Sequence, residues 1–204
     1  MYALITDGSI AKHLRGNKGI TIGDIQYPRT IFTLWTASEK AAIGIIEITF
    51  DNSNKKDEKY YINTNQTYTY DADAGTVTAA YGSATAKAHA DTLFTAQDET
   101  DGKGTEGEVA TRGLKYNLIK IVKQQAAEIL ANTDWYITRN AEKSTAIPSA
   151  ITTHRDLVRS RQATMETQIT NASDTPALET LHTYTTDSDG VSSRTLAELP
   201  TLEI

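Results

Sequence analysis

The sequence contains no cysteine, which excludes disulfides, thiolate catalysis and cysteine-based zinc sites. No apolar run approaches the length of a membrane-spanning helix. Met1 is followed at once by Tyr-Ala-Leu-Ile, without the basic and apolar regions of a secretory signal. The expectation is a protein made in a cytoplasm and held by no membrane. Basic residues are outnumbered, 20 Lys and Arg against 26 Asp and Glu. The formal charge of −6 and pI near 5.2 argue against nucleic acid or an anionic lipid surface as partner. Large apolar residues are sparse, with three Phe and two Trp. The hydrophobic share of 39% suits a chain with much exposed surface, elongated or oligomeric. At 204 residues the chain can hold one core of good size or two small ones.

Chemistry-bearing patterns are missing too. Gly16, Gly19 and Gly23 have the wrong spacing for a phosphate-binding loop, and no Lys-Ser/Thr follows them. There is no nucleophile elbow and no paired-histidine helix motif. His13, His89, His154 and His182 fall in different predicted elements. The acidic stretch from Asp98 to Glu106 departs from the alternating oxygens and sixth-position glycine of a calcium loop. No catalytic, cofactor-binding or metal-ligating residue is assigned, and the expectation is a protein that is not an enzyme.

What is present divides the chain three ways and predicts an α+β fold. Residues 1–82 read as a small β-rich module with a short helix. Tyr2–Ile5 and Ile10–Leu14 flank Asp7-Gly8, a turn pair that tolerates positive φ, so the chain opens on a hairpin. Ile20, Ile22 and Ile25 continue in extended form to Pro28. Thr36-Ala37-Ser38-Glu39 has capping-box spacing, Gly44 ends that short helix, and Ile45–Phe50 is a strand candidate. Tyr68 and Tyr70 alternate with Thr67, Thr69 and Asp71 ahead of Asp73-Ala74-Gly75, a second hairpin. Residues 83–112 form an acidic Gly/Ala/Thr linker, expected to be flexible or solvent-exposed, with Leu93 and Phe94 as its apolar exception.

Residues 113–204 read as a helical hairpin, about 112–131 and 149–172, with a short helix near 176–184 and an extended tail. In the first helix Leu114, Leu118, Ile121, Val122 and Ile129 share a face. In the second, Ile151, Val158, Met165 and Ala172 repeat every seventh position with Ile169 beside them. His154, Arg161 and Gln168 run beside that seam. They either fix the register of an oligomer or lie at the rim of an ordinary helix pair. Arg155, Arg159 and Arg161 read as a solvated or salt-bridged face. Asp134–Arg139 reads as a short connecting segment, with Trp135, Tyr136 and Tyr184 as core anchors. The candidate interaction residues are Trp135, Ile151, His154, Val158, Arg161, Met165, Leu199 and Leu202.

One stretch resembles a known family. Asn132-Thr133-Asp134-Trp135-Tyr136-Ile137-Thr138-Arg139-Asn140-Ala141-Glu142 is followed by Ala146-Ile147-Pro148-Ser149 and a helix carrying His154-Arg155 and Val158-Arg159. This is similar to a C-terminal module of tailed-bacteriophage tail proteins. The opening Met1–Lys12, the stretch Tyr27-Pro28-Arg29 through Ile45, and Tyr61–Tyr68 are similar to versions from marine and cyanobacterial phages. The copy departs from the pattern at Thr138 and Asn140, around Arg139. The resemblance implies a non-enzymatic structural protein of the virion tail, tail-fibre or baseplate-associated, made in the host cytoplasm. It implies other tail, baseplate or fibre proteins as partners and a homo-oligomer, a trimer first. A fibre-assembly chaperone absent from the virion and a capsid decoration protein are the alternatives. Tyr60, Tyr61, Tyr68, Tyr70 and Tyr81 offer stacking faces for a host-surface glycan, though such alternation also serves sheet packing.

Overall fold

The computed structural model describes residues 1–202, and the fold is α+β as the sequence predicts. The chain forms two compact units, Met1–Thr85 and a second beginning at Ala86.

The first unit opens with β1 (Tyr2–Thr6) and β2 (Ser9–Leu14), an antiparallel hairpin with Thr6 opposite Ser9. Its two turn residues have positive φ, 52° at Asp7 and 73° at Gly8, which matches the twist of the flanking strands. The isoleucines expected to form one extended run instead form a second hairpin, β3 (Ile20–Ile22) and β4 (Ile25–Tyr27). Gly23 takes φ of 58° there, so Gly23-Asp24 turns the chain between Ile22 and Ile25. An unanticipated single turn, α1 (Ile31–Leu34), buries Ile31 and Phe32.

Next, α2 (Ala37–Ala41) starts with the expected capping box. Glu39 accepts the Thr36 backbone N–H at 2.7 Å and the Thr36 hydroxyl at 2.8 Å. Both bonds hold its carboxyl below the usual range. Gly44 follows with φ of 79°. A Cβ there would sit 2.6 Å from the Ile5 carbonyl oxygen, so no other residue fits without moving β1.

The remaining strands are β5 (Ile45–Asp51), β6 (Tyr61–Ile62), β7 (Gln66–Asp71) and β8 (Thr76–Tyr81). The main sheet runs β2-β1-β5-β8-β7, antiparallel except for the parallel pair β5 and β8. Alternation sorts its side chains. Ala3, Ile48, Val77 and Ala79 form one cluster with Tyr68 and Tyr70 against it. Leu14 and Ile45 join Ile31 and Phe32 in another, with Tyr2 and Leu4 beside them. The sheet curls until its two outer strands approach: the His13 and Tyr68 rings lie 4.1 Å apart. That closure fits the small residues Ala3 and Ala79 at the centre.

After β9 (Thr85–Ala86) at the boundary, the second unit begins in the stretch expected to be an open linker. It holds β10 (Thr92–Leu93), α3 (Ala96–Thr100) and β11 (Val109–Thr111), with β10 and β11 paired. Hydrogen bonds replace the missing apolar residues. Thr95 and Asp98 make a second capping box, and Lys103 pairs with Asp98 at 3.2 Å and Asp101 at 3.0 Å. The Phe94 ring packs where any side chain on Gly104 would lie. Asp91 accepts the Gly113 N–H at 2.8 Å and the Arg112 guanidinium at 2.6 Å. The stretch is largely exposed, as expected, but it is structured.

Bonds from the Thr95 backbone and hydroxyl, then from Lys103, lower the Asp98 carboxyl from 3.8 to about 2. A lowered folded-state value means the charged cap supports the folded loop fully above 3.8, and that support is lost as pH falls through about 2. In an NMR acid titration the Thr95 amide is expected to shift with a midpoint near 2. A midpoint near 3.8 would mean that the cap does not form in solution.

Four helices follow: α4 (Leu114–Ala131), α5 (Asp134–Lys143), α6 (Ser149–Asn171) and α7 (Thr175–His182). The chain then passes through β12 (Thr185–Thr186) and β13 (Ser192–Ser193), a two-stranded pair. Lys115 near the start of α4 donates to the Thr170 carbonyl near the end of α6, while Arg155 near the start of α6 reaches the Leu130 carbonyl. The two long helices are therefore antiparallel. Leu118, Val122 and Ala126 are the buried residues of α4. The whole heptad seam of α6, Ile151, Val158, Met165 and Ala172, is buried with Ile169. Asp174 caps α7 by accepting the Ala177 N–H at 2.8 Å, with Pro176 in the first turn, as expected.

Three readings of this region are corrected. Asp134–Arg139 is not a short connector but the first half of α5, which ends at Ser144 in left-handed conformation with φ of 54°. Its β-prone residues are overruled by Asp134 at the helix start, Lys143 at its end and stacking between neighbouring turns. Trp135 and Tyr184 are not core anchors: they are 53% and 54% exposed. Ile121 is 46% exposed, because the buried stripe of α4 passes through Val122 and Ala126 instead. No helix among the described residues is long and apolar enough to cross a membrane.

Candidate functional site

The polar residues beside the seam of α6 are where the second unit builds specific geometry. Arg155 lies four positions after Ile151 and three before Val158, so it sits on the buried stripe. Its guanidinium Nη1 donates to the Leu130 carbonyl at 2.8 Å and the Thr133 hydroxyl at 2.6 Å, and pairs with Asp134 at 2.9 Å. The Thr133 hydroxyl in turn donates to the Leu130 carbonyl at 2.9 Å. One buried arginine thus satisfies the C-terminal end of α4 and fixes the start of α5. Of the expected solvated or salt-bridged arginine face, Arg159 and Arg161 are exposed, and Arg155 is ion-paired with Asp134 but buried.

Outward from that junction, α5 carries an aromatic stack. The Trp135 and Tyr136 rings are 4.7 Å apart, and the Arg139 guanidinium lies 4.4 Å over Trp135 and 5.3 Å over Tyr136. Trp135 and Arg139 are one helical turn apart, so the cation lies along the ring face. With Trp135, Ile137 is also exposed. Trp135 with the Arg139 guanidinium over it marks one face of this short helix, and Ile137, two positions on, is exposed on another.

The C-terminal segment provides the second feature. Gln168, half-buried beside the seam, donates through Nε2 to the Thr195 carbonyl and accepts the Ala197 N–H through Oε1, both at 2.9 Å. It grips the backbone on either side of Leu196, which is 2% exposed. The Leu196 N–H donates to the Leu181 carbonyl at 2.9 Å. Tyr184 donates to Glu198 at 2.5 Å, and Arg194 pairs with the same carboxylate at 3.2 Å. The bond to Glu198 is the largest cause holding the Tyr184 hydroxyl above its usual value.

Of the residues singled out in the sequence, Ile151, Val158 and Met165 are spent inside the α4–α6 seam. His154, Leu199 and Leu202 are brought together with Ile129, Asn132 and Thr133 around a cavity of about 300 Å³. His154 is buried there, and its Nε2 has no hydrogen-bond partner among the described residues. Trp135 stands apart on α5, and Arg161 is exposed. Glu203 and Ile204, the last two residues of the expected apolar tail, lie outside the described residues. Gln168 was legible as a polar residue beside the seam. In the sequence Arg155 reads with Arg159 and Arg161 as a solvated or salt-bridged face, although its spacing from Ile151 and Val158 is the signal that sets it on the buried stripe. Leu196 carried no local signal, since nothing in an irregular tail marks which leucine is seated.

Elsewhere, a cleft of about 700 Å³ in the first unit is lined by Lys12, His13, Arg15 and Lys18, with no carboxylate among its lining residues. Tyr60 and Tyr61 are buried, and Tyr68, Tyr70 and Tyr81 half-buried. No group of three or more metal-ligating side chains occurs among the described residues. No protein-family model matches the chain, and no curated protein and no solved structure is significantly similar to it.

Proposed function

We propose that this chain is a non-enzymatic structural protein of a tailed-phage virion, joining tail or baseplate to a receptor-binding fibre through symmetric oligomerisation, as a trimer first. One observation carries the reading. The stretch similar to phage tail modules, Asn132–Glu142 with Ile147-Pro148 and Arg155, coincides with a single piece of architecture, the α4–α5–α6 junction. There Thr133, Asp134 and Arg155 hold the helices, while Trp135 and Ile137 are exposed and the half-buried Arg139 lies over the Trp135 ring. Such a division, with polar residues fixing a scaffold and an aromatic–arginine surface left for contact, suits a protein whose work is binding other proteins.

The test is quantitative mass spectrometry of gradient-purified virions beside the infected-cell lysate. The expected result is stoichiometric presence in virions at a small multiple of the tail symmetry. Copies in the hundreds would make it a capsid decoration protein. Presence in lysate with absence from virions would make it an assembly chaperone.

A further inference from the structure

We propose that the C-terminal segment Thr195–Leu202 is an exchangeable arm, which in the assembled protein docks on helix α6 of a second copy of the chain. The inference rests on the symmetric assembly proposed above and names the contact that builds it.

The arm is recognised by residue-specific contacts, not by general stickiness. Gln168 bonds to the backbone on both sides of Leu196, as a neighbouring strand would. Leu196 is seated to 2% exposure and bonded to the Leu181 carbonyl. Leu199 and Leu202 reach the cavity beside His154. Each of these contacts is between the arm and α4, α6, α7 or the α4–α5 connection at Asn132-Thr133, so a neighbour's arm would find the same partners in the same places.

The connection to the arm is made to move. Residues 183–193 are exposed without exception, and the β12–β13 pair within them consists of Thr185 opposite Ser193 and Thr186 opposite Ser192. A hairpin of that size has no stability of its own. Straightened, those residues reach roughly 36 Å, about the length of α6. Opening this hinge exchanges the arm with its contacts to Gln168, Leu181 and the cavity beside His154 kept, and releases the Tyr184–Glu198 bond that is made from within the hinge. The balance between a self-docked and an exchanged arm is then set by hinge conformation and local concentration. In a symmetric assembly the neighbour's groove is present at high effective concentration, which favours exchange.

Because the chain has no cysteine, an Ala197→Cys variant accepts one thiol-directed photocrosslinker at a known position in the arm. The labelled full chain is mixed with an unlabelled ¹⁵N-enriched copy, sized by light scattering and irradiated. The expected result is an oligomer in which the arm is joined to an α6 peptide of the enriched copy, giving a band at twice the chain mass. Gln168→Ala in the acceptor is expected to lower that yield several-fold while far-UV circular dichroism stays unchanged. An oligomer whose cross-links all lie within one chain overturns the exchange and leaves the assembly standing. A monomer at every concentration overturns both.

Discussion

Ile169→Ala is expected to destabilise the second unit by about 3 kcal/mol, within the range for emptying a fully buried isoleucine site. Ile169 has no exposed surface and lies on the seam of α6 between Met165 and Ala172. The void left there is cut off from solvent and cannot refill without shifting the backbone around it. The matched control is Ile121→Ala on α4. That isoleucine fits the same sequence periodicity but is 46% exposed, so its loss is expected to cost within about 0.5 kcal/mol. The two tryptophans, Trp35 and Trp135, fall one in each unit. Urea unfolding followed by Trp135 fluorescence in a Trp35→Phe background therefore reports the second unit alone. Equal losses for the two alanines would mean that Ile121 is buried in solution, by a partner or by different packing.

Arg155→Ala is the second large effect, also about 3 kcal/mol. Only 8% of Arg155 is exposed, yet its Nη1 holds the Leu130 carbonyl and the Thr133 hydroxyl. Truncation removes a charge-assisted bond and opens space at the α4–α5 junction. Arg155→Met keeps most of the volume without the donor, and is expected to recover about half of the loss. Asp134→Ala separates the ion pair from the hydrogen bonds. The Asp134 side chain is 60% exposed, so screening limits its contribution to less than about 1 kcal/mol. The same unfolding measurement ranks the three. An Asp134 effect as large as that of Arg155 would place the stabilisation in the ion pair and refute this ordering.

The two long helices were legible in the sequence because their signal is periodic and local. Four residues at seven-residue spacing placed the buried face of α6, and all four are buried. The Asp7-Gly8 turn, the Thr36–Glu39 box and the Asp174-Pro176 helix start were legible for a similar reason. Each depends on the backbone bonding of a few adjacent residues, which residue type alone can specify.

What only the tertiary structure decided follows from distance along the chain. Whether Trp135 packs inward depends on what stands opposite it, and composition carries no such information. The 83–112 stretch looked open because it lacks apolar residues, yet Asp91, Asp98 and Phe94 order it through contacts that no periodicity records. Arg155 lay on the buried stripe by spacing alone, but its acceptors are 22 and 25 residues away. The seat of Leu196 is likewise made by Gln168, on another element. By itself the sequence determined the two long helices, the Asp7-Gly8 hairpin and the caps at Thr36 and Asp174. Only the tertiary structure decided which arginine is buried and where its C-terminal arm is held, because a buried polar group is placed by partners distant in the chain.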